Sequence, residues 1–86
     1  MRIRIDPHTL ERAAERGTDP DEIEDVIRTG VAVKAREGRL GKAKVYQFGR
    51  ERNGRYYEQK RVEVYYVLDG RDAVTVTVYV FYGRWE

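Results

Sequence analysis

The 86-residue chain has no cysteine, one histidine, two prolines, one methionine and one tryptophan. Without cysteine there is neither a disulfide framework nor a thiolate zinc site, and a single histidine cannot build the usual nitrogen-ligand clusters. No zinc, structural or catalytic, and no other cofactor is expected. No stretch approaches the ~20 apolar residues of a membrane span, and the opening MRIRIDP lacks the apolar core of a signal peptide. These absences point to a soluble cytoplasmic protein without a membrane partner.

What the chain has in quantity is charge. Charged residues make up 37% of it, for a net charge of only +2, and arginine far outnumbers lysine. That mixture fits the ion-pair-rich surface of a thermophile. The charge is uneven along the chain: residues 34–61 hold ten basic and three acidic side chains, while the segments on either side are net acidic. Such a block attracts phosphate backbones. The plainer reading is a hairpin that uses its charges to stay solvated, and charge alone slightly favours it.

A chain of this length forms one domain, residues 1–86, and buries only roughly 60–65% of its unfolded surface, so every element must serve one core. A short alternating strand, Arg2 to Ile5, leads into Asp6-Pro7, a helix N-cap followed by proline at the first helical position. The first helix spans about residues 7–16 and stops at Gly17. Leu10, Ala13 and Ala14 share one side of it, and His8, Arg12 and Arg16 are successive i, i+4 neighbours on the other. Asp19, Pro20 and Glu22 open a second helix, residues 20–29, which buries Ile23, Val26 and Ile27 and ends at Gly30. The period then changes to that of strands: Val31 to Arg36, Lys44 to Arg52, Arg55 to Leu68 and Ala73 to Tyr82. The expected class is α+β, with two N-terminal helices on one face of a twisted antiparallel sheet of about four strands.

The register follows from the turns. A two-residue turn at Asn53-Gly54 sets Val45 opposite Val62, on a core face with Val64, Tyr66 and Leu68. For Val74, Val76, Val78 and Val80 to join that face, the loop around Asp69-Gly70-Arg71 must have an odd number of residues. The other face then collects Tyr46, Phe48, Arg61, Glu63, Tyr65, Thr75, Thr77, Tyr79 and Phe81. Taken singly, these are good strand formers on a half-buried surface. As a cluster they are rings that stack on bases beside arginines that pair with phosphates.

His8, Arg12 and Glu15-Arg16-Gly17, then Glu22-Ile23 to Gly30 and Thr77-Val78-Tyr79, resemble the domain of unknown function 4258 family, which is grouped with RelE-type and barnase-like ribonuclease toxin folds. The resemblance runs from Ile5 to about Tyr79. It implies a RelE-like domain that cuts RNA without metal by attack of the RNA's own 2′-OH, with RNA or the ribosome as one partner and an antitoxin protein as another. His8 is the one side chain that titrates near neutrality without a perturbed pKa, which suits it to general base catalysis. Arg16 would stabilise charge developing on the phosphate, and the resemblance gives Thr77 and Tyr79 the task of orienting substrate or relaying a proton. Arg12, Arg50, Arg52, Arg55, Lys60 and Arg61 are candidate RNA contacts. A first-turn histidine on a polar face is ordinarily just exposed, and helix arginines beside Glu11 and Glu15 ordinarily form weak ion pairs. The alternative is therefore a non-catalytic domain that binds RNA or protein with the same sheet face.

Overall fold

The computed structural model describes residues 1–85. The elements in order are β1 (Arg2–Arg4), α1 (Pro7–Arg16), α2 (Pro20–Thr29), β2 (Val31–Val33), β3 (Leu40–Arg52), β4 (Arg55–Asp69) and β5 (Asp72–Gly83). Both helices begin where the Asp-Pro pairs predict. The Asp6 carboxylate accepts from the backbone N–H of His8 and Thr9, and Asp19 accepts from that of Glu22. Gly17 closes α1 in the left-handed region, with φ at 94°.

The sheet has five strands in the order β1-β5-β4-β3-β2, and it is mixed. This corrects the expectation of about four antiparallel strands: β1 adds to the edge, pairing in parallel with the start of β5 through Arg2–Asp72, Ile3–Ala73 and Arg4–Val74. The other three pairings are antiparallel, as expected. The strand after α2 is also shorter than the sequence suggests, ending at Val33 before a loop that carries residues 34–39.

Two bulges decide which side chains face the helices. Asn53 and Gly54 both take positive φ, as a type I′ turn requires, so the β3–β4 hairpin starts in the expected register. An extra residue at Phe48-Gly49 then shifts it by one, so that Val62 faces Lys44 rather than Val45. Tyr46 consequently turns towards the helices, where its hydroxyl donates to Asp25 Oδ2 at 2.6 Å. Phe48 also leaves the predicted open face and packs edge-on against Tyr82, whose hydroxyl bonds the carbonyl of Arg16. At the other hairpin the turn has two residues, Gly70-Arg71, and not an odd number. The parity change comes instead from a bulge at Val76, between the pairs Tyr65–Thr77 and Tyr66–Thr75. Beyond the bulge Val78 and Val80 join the core as predicted, while before it Thr75 faces the helices and Val74 and Val76 do not.

The core joins Ala13, Ile23, Val26 and Ile27 from the helices to Val62, Val64, Tyr66, Ala73 and Val78 from the sheet. On α1 the buried stripe runs through Thr9 and Ala13, whereas Leu10, expected inside, is exposed. Thr9 can be buried because its hydroxyl donates to the N-cap carboxylate at 2.9 Å. Fully burying an Ile or Val stabilises by about 1.5–3 kcal/mol, so the few such residues here matter individually.

Candidate nucleic-acid interface

With both helices on one face, the opposite face of the sheet is not covered by a helix. There, Arg61, Glu63 and Tyr65 alternate along β4 and face Phe81, Tyr79 and Thr77 on β5. The loop after β2 rises beside them. Lys34, Ala35, Arg36 and Arg39 from the loop, with Tyr65, Val76, Thr77 and Tyr79 from the sheet, line an open groove of about 660 Å³. The bulge at Val76 puts it and Thr77 side by side on this wall. Among the described residues none of the three loop cations forms an ion pair with a carboxylate, and no acidic side chain lines the groove.

Tyr65 is held firmly. Its ring meets Tyr79 edge-on with centroids 6.0 Å apart, and it lies over Gly41 on β3, where an added Cβ would come within 2.8 Å of the ring. Burial, and then the hydrogen bond its hydroxyl donates to Glu63, push that hydroxyl's pKa up. Tyr79 and Phe81, two residues apart, present nearly parallel rings 27° from coplanar, with 43% and 46% of their surfaces exposed.

The structure divides the predicted site residues into three groups. Thr77 and Tyr79 line the groove; Arg16, on α1, does not line it but sets its guanidinium over the Tyr79 ring, 5.1 Å from the centroid. His8 is exposed and does not line the groove. It stands two helical turns from Arg16, about 12 Å along the axis, and its backbone N–H serves the Asp6 cap.

The second group holds the protein together. Three side chains satisfy the last carbonyls of α1: Arg52 donates to Glu15 O, Tyr82 to Arg16 O and Lys60 to Gly17 O, at 2.8, 2.6 and 2.8 Å. Lys60 also bonds Glu22 Oε1 at 2.8 Å and its side chain is only 8% exposed, so it is a buried clamp, turned away from the solvent where the sequence suggested an RNA contact. Arg12 pairs with Glu15, and Arg61 with Glu63.

The third group lies at the β3–β4 hairpin, where Arg50 covers Phe48 and Arg55 covers Tyr57. A smaller cleft of about 230 Å³ opens between Gly17, Phe48, Arg50, Glu51, Arg52 and Tyr82. Arg50 and Arg55 form no ion pair among the described residues, so of the predicted hairpin contacts these two keep free charge.

Sequence reasoning missed Lys34, Arg36 and Arg39 as site residues. The signal was present, since all three lie in the basic block of residues 34–61, but nothing local in the sequence separates them from the arginines around the hairpin turn.

A family model described as Domain of unknown function (DUF4258) matches residues 5–80. The chain belongs to that family. The DUF4258 match takes in both helices, the groove wall and the cationic loop. No curated protein and no solved structure matches the chain. Among the described residues of this DUF4258 domain no group of His, Asp or Glu is placed to hold a metal ion, and no helix is long and apolar enough to cross a membrane.

Proposed function

We propose that the open face of the sheet binds single-stranded RNA. The observation that carries this reading is the composition of the groove: three cations without carboxylate partners on one side, tyrosines and a threonine hydroxyl on the other, and no acid between them. Arginine and lysine at that wall pair with phosphate oxygens, and exposed rings such as Tyr79 and Phe81 give bases a stacking platform. Stacking on a side chain requires bases already out of a helix, which selects single strands over duplexes. The test is direct binding of labelled oligonucleotides of equal length, single-stranded and duplex. The expected result is tighter binding of the single strand, and equal affinity for the two would count against the stacking half of the reading.

A second reading, cleavage of that RNA as in RelE-type toxins, is favoured by Arg16, whose guanidinium beside the groove residue Tyr79 would stabilise charge on a phosphate brought to that edge of the sheet. Metal-independent attack by the 2′-OH leaves 2′,3′-cyclic phosphate ends and persists in a chelator. His8 enters such a mechanism only on RNA that crosses the edge of β5 onto the row His8, Arg12, Arg16. Wild type and His8→Ala compared on unstructured RNA and on translating ribosomes test that role, and equal rates remove His8 from it.

A further inference from the structure

A proton-handling pair stands behind the wall of the groove. Glu63 Oε1 accepts the hydroxyl proton of Tyr65 at 2.8 Å, and Glu63 Oε2 accepts from Arg61 Nε at 3.0 Å. The arginine fixes the carboxylate, and the carboxylate fixes the direction of the tyrosine O–H. The Glu63 side chain is only 18% exposed, so it meets the groove chiefly through Tyr65, which lines it. A phenol whose one proton is already given to a carboxylate has only its lone pairs left to offer, so Tyr65 Oη acts as an acceptor towards a bound ligand. Gly41 beneath the ring and Tyr79 at its edge keep the hydroxyl from swinging away.

We propose that Tyr65, backed by Glu63, is the proton acceptor of the groove, and that the group it deprotonates is the 2′-OH of an RNA nucleotide whose phosphate is held by Arg36 and Arg39. The proposal rests on the RNA-binding reading above and adds chemistry to it. In the step it implies, the 2′-O–H bond breaks and its proton passes to Tyr65 Oη as the tyrosine's own proton passes to Glu63 Oε1. The 2′-oxygen bonds to phosphorus, the bond from phosphorus to the 5′-oxygen breaks, and the 5′-oxygen takes a proton from solvent water at the open side of the groove. The products are a 2′,3′-cyclic phosphate and a 5′-hydroxyl, and Glu63 then returns its proton to solvent. The elevated pKa of the Tyr65 hydroxyl suits this relay, because the phenol stays protonated and transmits the proton instead of storing negative charge. Tyr65 touches the substrate and is the catalytic residue here; Glu63 acts through it and is a positioning residue.

The experiment is single-turnover cleavage of an unstructured RNA oligomer by the full chain, with Kd measured in parallel. Tyr65→Phe keeps the ring over Gly41, and Glu63→Gln keeps the shape of the side chain, so thermal unfolding should show both variants folded. Both should cut about 10²–10⁴-fold more slowly, as expected for loss of a positioned base, with a far smaller change in Kd. Glu63→Asp, which keeps a carboxylate, should recover part of the rate lost in Glu63→Gln without a change in Kd, a rescue that a purely structural role would not give. Unchanged rates in both variants would overturn the proposal. RNA that wild type binds but does not cut also overturns it, while leaving the binding reading standing. RNA that is not bound at all removes the binding reading and this proposal together.

Discussion

Arg16 lies across the ring of Tyr79 and donates to the carbonyl of Val78 at 2.5 Å, tying the last turn of α1 to the edge strand of the sheet. β1 covers only the beginning of β5, so the Val78 carbonyl is on an otherwise unpaired edge, and the arginine both satisfies it and blunts that edge. Arg16→Ala should cost roughly 1–2 kcal/mol of stability, for one charge-assisted hydrogen bond and one partly solvated cation–π contact. It should also weaken RNA binding. Arg16→Lys should keep the charge and lose the planar stack, recovering part of the affinity and little of the stability. Urea unfolding separates the two effects, and a stability loss without any change in RNA affinity would make Arg16 purely an edge cover.

The contrast between the helices and the strands shows what the sequence can specify. Asp6-Pro7 and Asp19-Pro20 placed both helix starts because capping is local chemistry, complete within four residues. The bulges at Phe48-Gly49 and Val76 were not legible, because a bulge is settled by packing across the sheet and each one exchanges the faces of every residue beyond it. Thr77 and Tyr79 reached the correct face because the error at the turn, two residues instead of an odd number, was cancelled by the bulge. Tyr46, Phe48 and Thr75 had no such compensation and were assigned to the wrong side. The cationic wall depends on where the loop after β2 folds, a tertiary outcome that no local pattern encodes. Lys60 misled for the reverse reason: in sequence it belongs to the basic block, yet its ammonium is drawn inward by a helix-end carbonyl and Glu22.

Asp25 provides a pH-dependent latch between α2 and β3. Hydrogen bonds from Lys44, at 2.7 Å, and from Tyr46 lower its pKa from 3.8 to about 2. Because the folded pKa is depressed, its contribution is fully present above the unfolded value and lost as pH falls through the folded one. The stability of the wild type should therefore drop between about pH 4 and pH 2 in part through this group, and Asp25→Asn should flatten that portion of the curve. Denaturant midpoints across that window check it. An unchanged acid limb in the variant would assign the loss to other carboxylates, among them Asp6, where burial raises the pKa but hydrogen bonds from Thr9, His8 and Thr75 outweigh it.

The two cationic regions make different predictions in salt. If phosphates sit in the groove, Arg36→Ala and Arg39→Ala should each lower RNA affinity and reduce the salt slope by about 0.7, the value per contact for single strands. Neither residue forms an ion pair among the described residues, so the fold should be unaffected. Arg55→Ala on the hairpin should leave the slope unchanged if the strand stays in the groove, and reduce it if the strand extends that far. Binding titrations at several salt concentrations decide the matter, and identical slopes for wild type and both loop variants would empty the groove of phosphate.

Lys60 gives the converse test, a cation expected to matter for stability and not for RNA. Its ammonium bonds Gly17 O and Glu22 Oε1, and Glu22 also accepts from the Thr18 hydroxyl at 2.7 Å. Lys60→Met keeps the apolar stem but leaves a helix-end carbonyl and a half-buried carboxylate without their shared donor. Breaking a fully buried pair costs about 3–5 kcal/mol, and since Thr18 still serves Glu22 and water reaches it, a loss of about 2–3 kcal/mol is expected here. In a domain of this size that corresponds to a fall in Tm of roughly 10–20 °C. Removing the stranded charge as well, with Glu22→Leu in the same chain, should restore part of the loss, because the cost lies mainly in the unpaired carboxylate. The salt slope of RNA binding should match the wild type below the lowered Tm. A Lys60→Met protein that keeps its stability but shows a shallower slope would put the ammonium back among the RNA contacts.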